Sequence, residues 1–136
     1  MDEAPLVNGE LISDQTCISD KNMVHELDLK GFGEIEKDKL FLKSFETLYL
    51  LYTKKLILKK NNKQIDFDIF MSICQKTDFE ILTKFLIYRD LRNRGYVVKD
   101  GFGFGSDFRV YERGHYGEKG AKFLIFGLNE GQQEKM

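Results

Sequence analysis

Histidine is scarce in this chain, with only His25 and His115 among 136 residues. Metal-assisted hydrolysis and a Ser-His-Asp triad both depend on well-placed imidazoles, so this poverty argues against either chemistry. Cysteine is just as sparse. Cys17 and Cys74 stand far apart with no CxxC and no paired histidine, which argues against a disulfide framework or zinc site and leaves two buried or bystander thiols. A single proline speaks against a disordered or Pro-rich linker. No apolar run approaches the roughly 18–20 residues of a membrane helix. The stretch from Met1 to Glu10 also lacks the basic-then-apolar plan of a secretory signal. A cytoplasmic protein without a membrane partner is expected. Net charge is lacking too: 21 Lys and Arg stand against 22 Asp and Glu, so any attraction to nucleic acid must be local.

What is present is an ordinary globular composition, 42% hydrophobic and 32% charged, long enough for one domain or two small lobes. From Gly9 to Ile18 short apolar stretches read as a strand with turn chemistry at Ser13 and Asp14. A short helix is expected over Met23–Leu29. Gly31 and Gly33 then break it and start an extended segment towards Leu40 and Leu42. Phe45, Leu48, Tyr49 and Tyr52 follow helical spacing, with Ser44 as the expected cap. Leu56–Leu58 reads as a strand ended by a polar stretch in which Asn61 and Asn62 favour a turn, and a helix over Phe67–Cys74 closes an N-terminal lobe.

Thr77 or Asp78 is the expected cap of a further helix with Phe79, Leu82 and Leu86 on one face and Gly95 past its end. Arg89, Arg92 and Arg94 in its last turns suit the negative end of the helix dipole, and also offer RNA contacts. Strands follow through Val97 and Val98, through Phe108–Tyr111, and over Phe123–Leu128, with a turn at Gly101, Gly103 and Gly105 between the first two. Those glycines lack the GxGxxG and GKS/T spacings and precede a strand, which argues against a nucleotide site.

The segment YRDLRNRGYVVKDGFGFGSDFRVYERG, from Tyr88 to Gly114, resembles the most distinctive stretch of the archaeal-type tRNA-intron endonuclease family. That stretch comprises an arginine-bearing helix end, RGY, a strand, a glycine-containing turn, then DF and a valine-tyrosine pair. Upstream, LFLKSFETLYLLYTKKLIL is similar to the family's LxLSxxEALYLLxxGKLxV, and GFGEIEKDKLFL to the segment before it. The resemblance implies an α/β (α+β) fold of two lobes, a strand-helix lobe over 1–75 and a catalytic-like lobe over 76–136 built on a mixed sheet.

It also implies assembly from four such units and recognition of precursor tRNA at a bulge-helix-bulge. The cut is metal-free and lyase-type: the ribose 2′-hydroxyl attacks phosphorus and leaves a 2′,3′-cyclic phosphate and a 5′-hydroxyl. No cofactor is implied. That reaction needs a base, an acid and a cation, which the family supplies as tyrosine, histidine and lysine. Tyr111 occupies the tyrosine position, although a tyrosine at a strand end also serves structure. The histidine opens the next strand in an H-A/S-x-Y/F-L-V pattern, and the corresponding residue here is Gly120. Glycine has no proton to donate, so a non-catalytic structural subunit is expected. His115, displaced in the preceding loop, offers the alternative of a competent nuclease. Lys119, Lys122 and Lys135 do not fill the lysine motif, and the family's later strands are missing, so the unit is expected to need a catalytic endonuclease unit or further polypeptide to complete its C-terminal sheet. Lys99, Arg109, Arg113 and Lys122 are the expected RNA contacts. A scaffold without RNA contact is a third alternative.

Overall fold

The segment VNGELI alternates buried and exposed side chains, as a strand with one covered face must, and forms β1 (Val7–Ile12). A two-residue turn at Ser13 and Asp14 returns the chain as β2 (Gln15–Ile18), antiparallel to β1 with Ile12 opposite Gln15. The computed structural model describes residues 6–101, 106–112 and 123–126. Two units divide the chain, Met1–Phe85 and Leu86–Met136.

In the N-terminal unit Asp20 caps α1 (Lys21–Leu29) by accepting from the Asn22 and Met23 amides at 2.9 and 3.1 Å. Next come β3 (Glu34–Glu36) and β4 (Lys39–Leu42), a hairpin whose turn residues Lys37 and Asp38 have φ of 52° and 69°. The sequence predicts only one extended segment here. Neither residue of Lys37–Asp38 is the glycine that usually announces such a turn. α2 (Ser44–Tyr52) follows, then β5 (Leu56–Lys60) and β6 (Lys63–Ile65) joined through Asn61 and Asn62 at φ 52° and 67°. β6 is three residues long and mostly polar, so periodicity does not separate it from the turn. The strands order as β3-β4-β2-β1-β5-β6, with β1 and β5 parallel and every other pair antiparallel. Ile18, Leu40, Leu42, Leu48 and Leu58 are completely buried, in the core that α1, packed on β3 and β4, and α2, packed on β2 and β5, share with this sheet.

The start of α2 differs from the expected Ser44 cap. Lys43 is the N-cap residue, with extended backbone, and its amide donates to Glu46 Oε1 at 2.8 Å. The other carboxylate oxygen of Glu46 accepts from the Gly33 amide at 2.8 Å. Glu46 is 1% exposed, so one buried carboxylate ties the start of α2 to the loop before β3. Thr47 donates to Thr16 Oγ1 at 3.0 Å, joining α2 to β2.

α3 (Phe67–Gln75) is capped by Asp66, which accepts from the Ile69 amide at 2.9 Å. α4 (Ile81–Asn93) follows. Its buried stripe is Ile81, Phe85 and Tyr88, whereas Phe79, Leu82 and Leu86, the expected face, are 82%, 45% and 41% exposed. Both stripes have helical spacing, so pattern alone does not choose between them. Phe85 closes an aromatic cluster with Tyr52 and Phe67 at centroid distances of 5.7 and 5.3 Å. Both cysteines are free and buried.

In the C-terminal unit β7 (Val97–Asp100), β8 (Ser106–Tyr111) and β9 (Phe123–Phe126) form a sheet in the order β7-β8-β9. Both pairings are antiparallel. The parallel pairing among the described residues is that of β1 with β5 in the N-terminal sheet. The molecule is a mixed α and β protein, as the sequence implies. No helix among the described residues is long and apolar enough to cross a membrane.

Candidate RNA-processing site

β8 places its residues on two faces. Phe108 and Val110 are completely buried, and Phe108 meets the buried Tyr88 ring at a centroid distance of 6.3 Å. Arg92 Nε donates to the Tyr88 hydroxyl at 3.1 Å and its guanidinium lies 5.7 Å from that ring. This gives a buried tyrosine a partner for its polar end.

The other face of β8 carries Arg109 and Tyr111, two residues apart and therefore on the same side of the strand. Arg109 Nε donates to the Tyr111 hydroxyl at 3.1 Å, and Nη1 donates to the Asp100 carbonyl oxygen at 3.1 Å. One guanidinium thereby fixes the phenol oxygen to the end of β7 with a charge-assisted bond. Opposite Tyr111 stands Val97, and opposite Arg109 stands Lys99. Tyr111 is half-buried, so its oxygen is held without being sealed off.

The structure brings three of the expected site residues together: Lys99, Arg109 and Tyr111 share one sheet face. Lys99 is only 3% exposed, so its ammonium is enclosed and is not offered to a phosphate at the surface. The Arg109–Tyr111 bond is a feature that the sequence reading omits, although the i, i+2 spacing on a strand is the available signal. Arg113, His115, Gly120 and Lys122 lie outside the described residues, as does the turn at Gly103 and Gly105. Among the described residues no three of His, Cys, Asp and Glu are grouped to hold a metal ion.

Cys74 in α3 is no part of such a site. Burial first, then the negative charges of Asp78 and Asp14, push its thiol up to about 11, which keeps it protonated and a poor nucleophile.

Comparison with known proteins places this geometry. The model of the tRNA intron endonuclease N-terminal domain matches residues 7–71, and that of the tRNA intron endonuclease catalytic C-terminal domain matches residues 81–136. The chain is 35% identical to the tRNA-splicing endonuclease of Methanococcus vannielii over 125 residues, covering 91% of this chain and 71% of the relative. To that of Thermococcus onnurineus it is 42% identical over 125 residues, covering 91% and 72%. To that of Methanothermobacter thermautotrophicus it is 38% identical over 109 residues, covering 79% and 63%. Both domain models together match nearly the whole of this chain, and relatives at 35–42% identity span most of it: the chain belongs to the tRNA-intron endonuclease family.

Proposed function

We propose that this chain is a structural unit of a tRNA-splicing endonuclease, holding precursor tRNA with a bulge-helix-bulge while a sister unit cuts. The residue that carries this reading is Gly120. It stands three places before Phe123, the first residue of β9, at the sequence position that family members fill with their proton-donating histidine. General acid catalysis of the departure of the 5′-oxygen requires a titratable group within hydrogen-bond reach, and glycine offers none. Tyr111 keeps its place on β8 and its bond from Arg109, which suits a framework that retains the family's geometry without its full chemistry. Residues 1–75 and 76–136 serve in this reading as the N-terminal and catalytic-like lobes.

The complementary partner is an endonuclease unit, or further polypeptide, with an intact tyrosine, histidine and lysine. We place its junction at β9, which among the described residues pairs with β8 on one side only. Strand addition there follows a common mode of association. In the assembly the 2′-hydroxyl attacks the adjacent phosphorus, yielding a 2′,3′-cyclic phosphate and a 5′-hydroxyl without a metal ion.

The test is incubation with bulge-helix-bulge RNA in EDTA, with the chain alone and with its partner. Cyclic-phosphate product only in the presence of the partner supports the structural role. Cutting by the chain alone, abolished by His115→Ala, assigns the acid step to His115 instead. Cutting in no combination leaves the scaffold reading.

A further inference from the structure

The C-terminal residues Lys99, Arg109, Arg113 and Lys122 do not include the densest positive region of the sequence. That lies in the N-terminal unit, where Lys54, Lys55, Lys59, Lys60 and Lys63 fall between Glu46 and Asp66 with no acidic residue among them. The structure gathers all five onto the β5–β6 hairpin and the turn leading into it, and every one is exposed. None of the five takes part in an ion pair among the described residues. The acid nearest in the sheet is Glu10, opposite Lys59 across the β1–β5 pairing. One carboxylate therefore faces a cluster of five ammonium groups.

Three of these lysines occupy positions that cost the fold. Lys60 and Lys63 are direct cross-strand partners, an arrangement in which like charges repel. Lys54 has φ 60°, in the left-handed region that disfavours a side chain. Guarding a sheet edge with lysine is a familiar device, yet it accounts only for Lys63, because β5 lies between β1 and β6 and is no edge. Unpaired charge held at unfavourable positions on a rigid hairpin points to a polyanionic ligand that offsets the repulsion when bound. From Lys55 to Lys59 the backbone spans about 13 Å at the usual strand rise, enough for flexible lysines to reach more than one phosphate.

We infer that the β5–β6 hairpin is a second RNA contact, binding the sugar-phosphate backbone through Lys54, Lys55, Lys59, Lys60 and Lys63 with no base readout. The inference rests on the reading of this chain as a precursor-tRNA-binding unit, and it adds a footprint in the N-terminal unit. Lysine clusters of this kind supply position and affinity, with a marked dependence on salt.

The test compares the full chain, together with its partner unit, with the variant Lys59→Gln/Lys60→Gln/Lys63→Gln. Affinity for intron-containing precursor tRNA is measured from about 50 to 200 mM salt. The expected loss is about tenfold or more at low salt, with the slope of log Kd against log salt shallower by about 2. The corresponding Lys→Arg variant should keep the slope. Equal affinity and slope in the wild type and the glutamine variant overturn the hairpin contact while leaving the proposed function standing. Failure of the wild-type assembly to bind precursor tRNA overturns both. If the glutamine variant instead loses its partner unit in sedimentation while any bound RNA shows the wild-type slope, the hairpin is a protein contact and the RNA assignment falls.

Discussion

Three helix ends show how much a single residue decides. α1, α2 and α4 close with the same pair of bonds, one of them from the amide two residues past the cap to the carbonyl three residues inside. The donors are Phe32, Lys55 and Tyr96, and the acceptors Leu27, Leu50 and Leu91. The residue between cap and donor is Gly31 at φ 81° and Gly95 at φ 95°, but Lys54 at φ 60° in α2. A left-handed side chain costs roughly 1–2 kcal/mol, partly offset because glycine loses more entropy on folding. Lys54→Gly should therefore raise stability by about 0.5–1 kcal/mol in urea melts while weakening RNA binding through the hairpin. At the opposite end of α2, lysine at the N-cap has no acceptor for the Glu46 amide. Lys43→Ser would complete the reciprocal capping pair that the Glu46 carboxylate half forms, a gain of about 0.5–1 kcal/mol. Cys74 makes a prediction in pH. Its thiol is raised from 9.0 to about 11, so the unfolded chain releases this proton first. Stability is unaffected by the group below pH 9 and falls as pH rises towards 11, by at most roughly 2–3 kcal/mol across that window. Urea midpoints of wild type and Cys74→Ala should draw together or cross over the same range, and a constant difference would refute the assignment.

Elements are where sequence reading and structure part company in instructive ways. Two apolar stripes run along this segment, and the one that the sequence reading groups, Phe79 just before α4 with Leu82 and Leu86 on it, is the exposed one. The stripe that packs holds Ile81, Phe85 and Tyr88, at 1%, 2% and 0% exposure. Phe85→Ala should cost about 3–5 kcal/mol through cavity formation and loss of the ring contacts to Tyr52 and Phe67. Phe79→Ser should change stability by less than about 0.5 kcal/mol. Equal losses from the two variants, read by thermal or urea melts, would return the packing to the expected face. Elsewhere the sequence is explicit wherever one residue type has one use. Asn61 and Asn62 announce their turn, Gly31 and Gly95 their helix ends, and the spacing of Phe45, Leu48, Tyr49 and Tyr52 announces α2. It is silent where two arrangements satisfy the same pattern, as for the face of α4, or where an element is too short to show a period, as for β3 and β6. The site is legible in part. Tyr111 can be located by its strand and its motif, but the hydrogen bond from Arg109 and the enclosure of Lys99 depend on cross-strand register, which no linear pattern records.

At the scale of the whole molecule the question is whether Tyr111 performs chemistry or maintains geometry. A tyrosine acting as general base within an assembled site supports a rate contribution of about 10²–10⁴-fold, so its removal from a cutting unit would nearly abolish cleavage there. On the proposed reading, with Gly120 at the acid position, no such contribution remains to be lost. The phenol then serves as the acceptor for Arg109, which also binds the Asp100 carbonyl and so fastens β8 to β7. Tyr111→Phe removes one half-buried hydrogen bond, a stability cost of about 0.5–1.5 kcal/mol. Splice-site cleavage by the assembly should stay within about twofold of wild type, whereas replacing the corresponding tyrosine of the sister unit should reduce it by the full catalytic factor. Single-turnover rates on bulge-helix-bulge RNA in EDTA measure both. A loss of about a hundredfold or more from Tyr111→Phe, in a variant that still assembles and binds RNA with the wild-type salt slope, would make this chain a cutting unit. The proton donor would then have to be sought at His115.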